Sequence, residues 1–162
     1  MLFWIVALAV WFIDRALKVW VVGHFVLGES AALIPGFFHV SYILNPGAAF
    51  GLLTGHTGLL AILSCAILAG LFFLQRSWGR GQWRVGLIFG MICGGALGNL
   101  YDRLTLGQVV DFIDVQIWPY IFNFADSMIV LGIIGILMDL FVKERRERAT
   151  GRLDEQPDRT NL

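Results

Sequence analysis

Two aspartates, Asp111 and Asp126, lie close to the ends of long apolar segments, where carboxyl groups are costly to place. Asp111 belongs to a loop that leaves one such segment, and Asp126 lies at the start of the next. Two neighbouring carboxyls can share a proton, because close like charges raise one pKa while the other stays low. One carboxyl can then activate water while the other protonates a leaving amine. The pattern favours hydrolysis of a peptide bond at the edge of a membrane.

Residue type alone does not select two catalytic acids from the chain. Six acids lie in or near the apolar segments and their loops: Asp14, Glu29, Asp102, Asp111, Asp114 and Asp126. Asp114 is a close rival to Asp111. Serine chemistry has less support, because neither Ser64 nor Ser127 has a histidine at a suggestive position. No Cys-x-x-Cys pair or cysteine–histidine cluster has metal-ligand spacing, so no metal site is expected.

The composition predicts a membrane protein. Hydrophobic residues make up 57% of the 162 residues, and the mean hydropathy is +0.73. The length fits a single domain. There is no basic patch with interleaved aromatic residues, so nucleic-acid binding is not expected.

Four apolar stretches are long enough to cross a hydrocarbon core of ~30 Å as helices. They lie at about residues 2–22, 56–75, 85–104 and 123–142. We predict one membrane domain, 1–142, and a cytoplasmic tail, 143–162, that begins as a frayed helix and becomes disordered. No basic residue precedes the first stretch and no small-x-small cleavage site follows it. We therefore expect a retained span rather than a cleaved signal peptide.

Lysine and arginine are distributed unevenly between the connecting segments. The link at 75–84 holds three and the tail six, whereas the loops at 23–55 and 105–122 hold none. By the positive-inside rule, the link and both termini are cytoplasmic and the two bare loops face outward. A group of polar residues then converges on the outer membrane surface: Asn45, Asn99, Arg103, Asp111 and Asp126.

Local patterns predict a strand and a turn in the first bare loop. Residues 38–45 alternate apolar with mostly polar side chains, which is typical of a short strand. Asn45-Pro46-Gly47 then gives a turn signal. The small residues that follow, at 48–51, permit a close backbone approach to another segment or to a ligand.

Two features of the spans concern packing and charge. The repeats Gly90-x-x-x-Gly94 and Gly94-x-x-x-Gly98 let helices approach closely in a membrane. Asp14 and Lys18, four residues apart, share a helix face and can pair. From the residues alone, an interfacial ion pair that marks the end of the first span and a functional role are equally open.

The chain resembles bacterial lipoprotein signal peptidase (signal peptidase II), a family of four-span intramembrane aspartyl proteases. The resemblance rests on five blocks that occur in the family's order and together are highly specific. They are Asp14-x-x-x-Lys18, Asn45-Pro-Gly-Ala-Ala-Phe-Gly51, Gly94-Gly-Ala-Leu-Gly-Asn-Leu-Tyr-Asp-Arg103, Val109-Val-Asp-Phe-Ile-Asp114 and Phe122-Asn-Phe-Ala-Asp126. One departure is Phe124, where an aliphatic residue is more usual.

The resemblance implies roles for individual residues. It makes Asp111 and Asp126 the catalytic pair and excludes Asp114. Asp102 becomes part of an Asp-Arg element. The positions that match substrate-binding residues are Asn45, Asn99, Arg103 and Asn123. The positions that match supports of the site are Asp14, Lys18 and Gly47.

The resemblance also implies a fold and a reaction. The fold is an all-α membrane protein with four transmembrane helices and a small extracytoplasmic β-sheet that cradles the substrate. The protein would act as a monomer in the bacterial cytoplasmic (inner) membrane, with its active site on the outer face. The reaction is removal of the signal peptide from a prolipoprotein, just before a cysteine that carries diacylglycerol. Membrane lipids and globomycin-type inhibitors are the other expected partners, and no cofactor is implied.

Two other functions compete with this interpretation. In a small proton-coupled transporter, acids within the membrane would relay protons. Against it, the charged groups cluster at one face and no inverted repeat is evident. A structural assembly protein would use the glycine-rich third span for packing, but that function gives no role to Arg103, Asp111 and Asp126.

Overall fold

The computed structural model describes residues 1–47, 53–78 and 82–154. Within these ranges, four helices and three strands follow one another along the chain. They are α1 (Leu2–His24), β1 (Ser30–Ile34), β2 (Phe38–Asn45), α2 (Thr57–Trp78), α3 (Trp83–Leu106), β3 (Val109–Val115) and α4 (Phe124–Asp154). The strands lie in the segments that precede α2 and α4, which are the two segments without lysine or arginine.

Three helices are long and apolar enough to cross a membrane. The candidate spans are Thr57–Ser77, Trp83–Leu106 and Phe124–Arg146, with mean hydropathies of 2.4, 1.3 and 2.1. They coincide with the stretches predicted at 56–75, 85–104 and 123–142. The helix predicted at 2–22 forms as α1, but it contains Asp14, Arg15 and Lys18. Its crossing of the membrane therefore stays a prediction.

The last helix continues well beyond its apolar part. It reaches Asp154 and so occupies much of the stretch predicted as a frayed helix and a disordered tail. Ion pairs at the i,i+4 spacing that stabilises helices support the extension. They join Lys143 to Asp139 at 2.7 Å and Arg148 to Glu144 at 2.5 Å. The remainder of the predicted tail, 155–162, lies outside the described residues.

Helix α3 packs against the three other helices. Its glycines make this possible, because a Cβ at Gly94 would lie 2.5 Å from the carbonyl oxygen of Ala7 in α1. A Cβ at Gly95 would lie 2.5 Å from the carbonyl oxygen of Ala125 in α4. The close packing predicted from the glycine repeats is therefore confirmed at Gly94, where two helix backbones almost touch.

The three strands form an antiparallel sheet in the order β1-β2-β3. The strand predicted at 38–45 is confirmed as β2. Phe112 of β3 packs with Val21 at the end of α1, which holds the sheet against the helices. Pairing of β2 with β3 places Asp111 opposite Ile43 and close to Asn45. The sheet thus brings a candidate catalytic residue to the end of the helix bundle.

The turn predicted after β2 begins within the described residues. The backbone N–H of Gly47 donates to Oδ1 of Asn45 at 2.9 Å, so the asparagine side chain closes the turn on its own backbone. This bond leaves the Nδ2 group of Asn45 available for the site. The small-residue stretch predicted at 48–51 lies outside the described residues.

Candidate active site

Asp111 is buried in the middle of β3, where its side chain is only 3% exposed. Its two oxygens accept hydrogen bonds from Nδ2 of Asn45 at 2.9 Å and from Nδ2 of Asn123 at 2.6 Å. Burial raises the pKa of Asp111 to about 7, and the charge of Asp126 acts in the same direction. The two amide hydrogen bonds oppose this rise. Asp111 is therefore a carboxyl that can hold a proton near neutral pH.

Asp126 lies in the first turn of α4, where a reciprocal cap holds it. Oδ1 of Asn123 accepts a hydrogen bond from the backbone N–H of Asp126 at 2.9 Å. Oδ2 of Asp126 accepts one from the backbone N–H of Asn123 at 3.2 Å. This arrangement is a capping box in which an asparagine precedes the helix and an acid follows three residues later. The local sequence therefore both starts the helix and fixes the carboxylate.

Asn123 connects the two candidate catalytic residues. Its side chain donates to Asp111, its backbone donates to Asp126, and the residue is fully buried. Asn99 adds a further link, because its Nδ2 donates to Oδ1 of Asp126 at 2.7 Å and its Oδ1 accepts from Asn123 at 3.2 Å. Asn45 contacts Asp111 as well, so the structure brings both predicted catalytic aspartates together with all three predicted substrate-binding amides.

Arg103 supplies positive charge beside the aspartates. Its charge interacts with those of Asp126 and Asp111, and its Nη2 donates to the carbonyl oxygen of Gly47 at 3.3 Å. Its buried Nε has no hydrogen-bond partner among the described residues. A buried donor without a partner is costly. Arg103 and Gly47, both predicted as site residues, contact each other.

Asp14 and Lys18 form an ion pair at 2.9 Å that is fully buried inside the protein. The ammonium also contacts Asp102 at 2.9 Å, and Asp102 is paired in turn with Arg15. Arg15 stacks over the ring of Tyr101 at 4.5 Å. These four charged side chains make an ion network between α1 and α3.

Sequence reasoning missed the parts played by Arg15 and Asp102 in this network. A signal was present, because the first predicted span holds two cations, Arg15 and Lys18, but one acid, Asp14. A charge in a membrane segment needs an opposite partner. A second acid from another segment was therefore required.

Asp114, the alternative to Asp111 in the sequence, makes its hydrogen bonds to other residues. Its Oδ2 accepts a hydrogen bond from Ser41 at 3.0 Å and its Oδ1 accepts one from Gln116 at 2.8 Å. Both partners belong to the sheet and the turn that follows it. Asp114 therefore stabilises the sheet.

The charges around the site do not balance when every acid is ionised. In the part of the chain that the structure describes, the cluster holds three cations: Arg15, Lys18 and Arg103. It holds four carboxyls: Asp14, Asp102, Asp111 and Asp126. One proton shared by the aspartate pair makes the cluster neutral.

Among the described residues, no group of three or more His, Cys, Asp or Glu side chains is arranged to hold a metal.

Comparison with known proteins gives consistent matches over most of the chain. Residues 6–142 match the family model described as signal peptidase (SPase) II. The lipoprotein signal peptidase of Desulfitobacterium hafniense (strain DSM 10664 / DCB-2) is 54% identical over 151 residues, which cover 93% of this chain and 99% of the relative. That of Nostoc punctiforme (strain ATCC 29133 / PCC 73102) is 42% identical over 154 residues, which cover 94% and 96%.

The fold is similar to two solved chains, each described as a bacterial membrane enzyme. One, solved at 2.3 Å, matches with a TM-score of 0.80 and 32% identity over 86% of this chain and 87% of that chain. The other, solved at 1.9 Å, matches with a TM-score of 0.77 and 33% identity over 84% and 90%. From the family model and the relatives together, the chain belongs to the signal peptidase II family.

Proposed function

We propose that the protein is an intramembrane aspartyl endopeptidase that removes the signal peptide from prolipoproteins. It cleaves just before a cysteine that carries diacylglycerol. The relatives are named lipoprotein signal peptidases, which supports this class of substrate. The observation that carries the mechanism is the contact of one buried residue, Asn123, with both Asp111 and Asp126.

The two aspartates divide the tasks of acid and base. One carboxyl of the pair holds the shared proton while the other is ionised, and the pKa of Asp111, raised to about 7, allows that residue to carry the proton near neutral pH. The ionised carboxyl removes a proton from water as the water oxygen bonds to the carbonyl carbon of the substrate. The protonated carboxyl then gives its proton to the amine as the carbon–nitrogen bond breaks. The pair holds one proton before and after the reaction, because the proton taken from water stays on the pair.

Polar groups around the pair bind the substrate backbone. The N–H of Arg103 Nε, which has no hydrogen-bond partner in the described part of the chain, can donate to a carbonyl oxygen of the extended peptide. Asn45, Asn99 and Asn123 present amide groups at the same place. Globomycin-type inhibitors would occupy this space and contact the aspartates.

The protein crosses the cytoplasmic membrane of a bacterium four times and acts as a monomer. Both termini and the tail at 143–162 are cytoplasmic, and the site in the domain at 1–142 faces outward. The charges of α1 are compatible with a span, because Asp14 and Lys18 pair inside the protein rather than in lipid. Membrane lipids cover the exposed apolar faces of the helices.

Cleavage by the purified full-length protein tests the proposal. The substrate is a precursor peptide that carries diacylglycerol on its cysteine, and the control is the same peptide without lipid. We expect cleavage of the lipidated peptide before the cysteine and its loss when globomycin is added. Absence of cleavage, or equal cleavage of both peptides, would contradict the proposal.

A further inference from the structure

The residues immediately before the two candidate catalytic aspartates are held in the same way. Val110, which precedes Asp111, donates its backbone N–H to Oδ2 of Asp102 at 3.2 Å. Ala125, which precedes Asp126, donates its backbone N–H to Oδ1 of Asp14 at 3.0 Å. Each catalytic residue is thus tied, through its neighbour, to a fully buried carboxylate.

One ammonium group joins these two carboxylates. Nζ of Lys18 lies 2.9 Å from Oδ2 of Asp14 and 2.9 Å from Oδ2 of Asp102, and none of the three side chains is exposed. Nζ of Lys18 also donates a hydrogen bond to Oδ1 of Asn99 at 3.1 Å. The ammonium therefore contacts three polar groups inside the protein.

The contact with Lys18 also fixes which way the amide of Asn99 faces. A group that only donates must meet the amide oxygen, which leaves Nδ2 of Asn99 to donate to Asp126 at 2.7 Å. The reversed amide would bring its NH2 group against the ammonium and its oxygen against the carboxylate. Both contacts would be repulsive, so Lys18 selects the orientation that supports Asp126.

We propose that Asp14, Lys18 and Asp102 act as positioning residues that set the separation and orientation of Asp111 and Asp126. This inference rests on the proposed function and deepens it. The lysine holds two carboxylates at a fixed distance, and each carboxylate holds the backbone next to one catalytic residue. Loss of one partner of a fully buried ion pair is costly, because it leaves an uncompensated buried charge. Two carboxyls that share one proton need this control, because a misplacement of about 1 Å can cost ~100-fold in rate.

The packing of α3 against α1 leaves space for the carboxylate of Asp14. A Cβ at Gly98 of α3 would overlap the Oδ2 atom of Asp14, so a larger residue there would displace the carboxylate. The glycine therefore gives the Asp14 carboxylate room beside α3, and Lys18 can reach both acids.

The test compares three variants of the full-length protein with its parent in the same membrane mimetic. Lys18→Met removes the ammonium. Asp14→Asn and Asp102→Asn keep the shape of the side chain but remove its charge, so each weakens the contact of one carboxylate with Lys18. The matched control is Lys143→Met, which breaks an Asp–Lys pair of the same i,i+4 spacing with Asp139, remote from the site and partly exposed. Single-turnover cleavage of the lipidated precursor is expressed per molecule that binds the precursor, so that misfolded protein does not enter the rate.

We expect each of the three variants to cleave about 10 to 100 times more slowly per bound molecule, with precursor affinity within about threefold of the parent. A residue that only stabilises the fold would change the amount of binding protein and leave this rate intact. A parental rate in any of the three variants would overturn the inference. Inactive Asp111→Asn and Asp126→Asn variants, measured beside them, would show that the proposed function stands even if the inference fails.

Discussion

Asn123 and Asp126 hydrogen-bond each other reciprocally. The side chain of Asn123 accepts from the backbone N–H of Asp126 at 2.9 Å, and the backbone N–H of Asn123 donates to the side chain of Asp126 at 3.2 Å. The same asparagine donates its Nδ2 to Asp111 at 2.6 Å. The start of helix α4 and the hydrogen bonds that link the two aspartates therefore depend on one residue. Substitutions of Asn123 can test separately its role in capping the helix and its contact with Asp111.

Asn123→Ser should keep the helix cap and lose the contact with Asp111, because a serine hydroxyl caps a helix but is too short to reach across the site. Asn123→Ala should lose both. We expect cleavage to fall at least about tenfold in both variants. The free energy of unfolding should fall by about 1 kcal/mol more in the alanine variant than in the serine variant. Thermal unfolding and cleavage assays measure the two effects, and full activity in the serine variant would contradict the assignment of Asn123.

Asp111→Asn and Asp126→Asn should each abolish cleavage of the lipidated precursor, because the reaction needs both an ionised and a protonated carboxyl. Expression and membrane insertion should be unchanged. Asp114→Asn is the matched control, since the carboxylate of Asp114 binds Ser41 and Gln116 and not the pair. It should retain much of the parental activity.

Normal processing by both aspartate variants would end the protease interpretation and favour a proton-coupled transporter. Proton flux into vesicles that contain the protein would then test that function directly. Under the proposed function, the vesicles should show no flux above the protein-free control.

The rate of cleavage should fall as the pH rises through about 7. The pKa of Asp111 lies at about 7, above its ordinary value, so this group is protonated below that pH and ionised above it. Above it the pair loses its shared proton, and no acid remains for the leaving amine. The dependence of kcat/KM on pH measures the titration of the pair as a whole. A value of kcat/KM that stays constant or rises between about pH 6 and 9 would contradict the role of a shared proton on the pair.

Gly94→Ala should destabilise the helix bundle. A Cβ at this position lies 2.5 Å from the carbonyl oxygen of Ala7, so α1 and α3 must move apart, at a cost of about 1–3 kcal/mol. Gly70→Ala on α2 is the matched control, because a Cβ there meets nothing within 4 Å. It should leave stability equal or raise it by up to about 1 kcal/mol, through the better helix propensity of alanine. Thermal unfolding in detergent compares them, and equal stability of the two variants would contradict close packing at Gly94.

Patterns that are local in sequence predicted much of the fold. The alternation at 38–45 predicted β2, and apolar length predicted the helices. Asp126, which the sequence places at the start of the last apolar segment, lies in the first turn of α4, where Asn123 caps the helix. Each of these features is decided by residues close together in the chain.

Contacts between distant residues were harder to predict. Arg15 and Asp102 are 87 positions apart, and sequence spacing does not reveal which acid meets which cation. The choice of Asp111 over Asp114 likewise depends on how β2 and β3 pair. Successive side chains of a strand point to opposite faces. Asp111 in the site and Asp114, three positions later in β3, therefore point to opposite faces, and Asp114 stabilises the sheet instead. For this choice the family resemblance supplied what the residues alone left open.

The ion network has a consequence for biosynthesis. When α1 leaves the ribosome it carries two cations, Arg15 and Lys18, and one acid, while the balancing Asp102 belongs to α3 and is made later. Until that helix arrives, one positive charge of α1 has no partner inside the protein, and lipid strongly disfavours such a charge. Under the proposed four-span topology, the first helix should therefore reach its final depth only after the third has entered the bilayer, so that assembly of the bundle is ordered by electrostatic neutralisation.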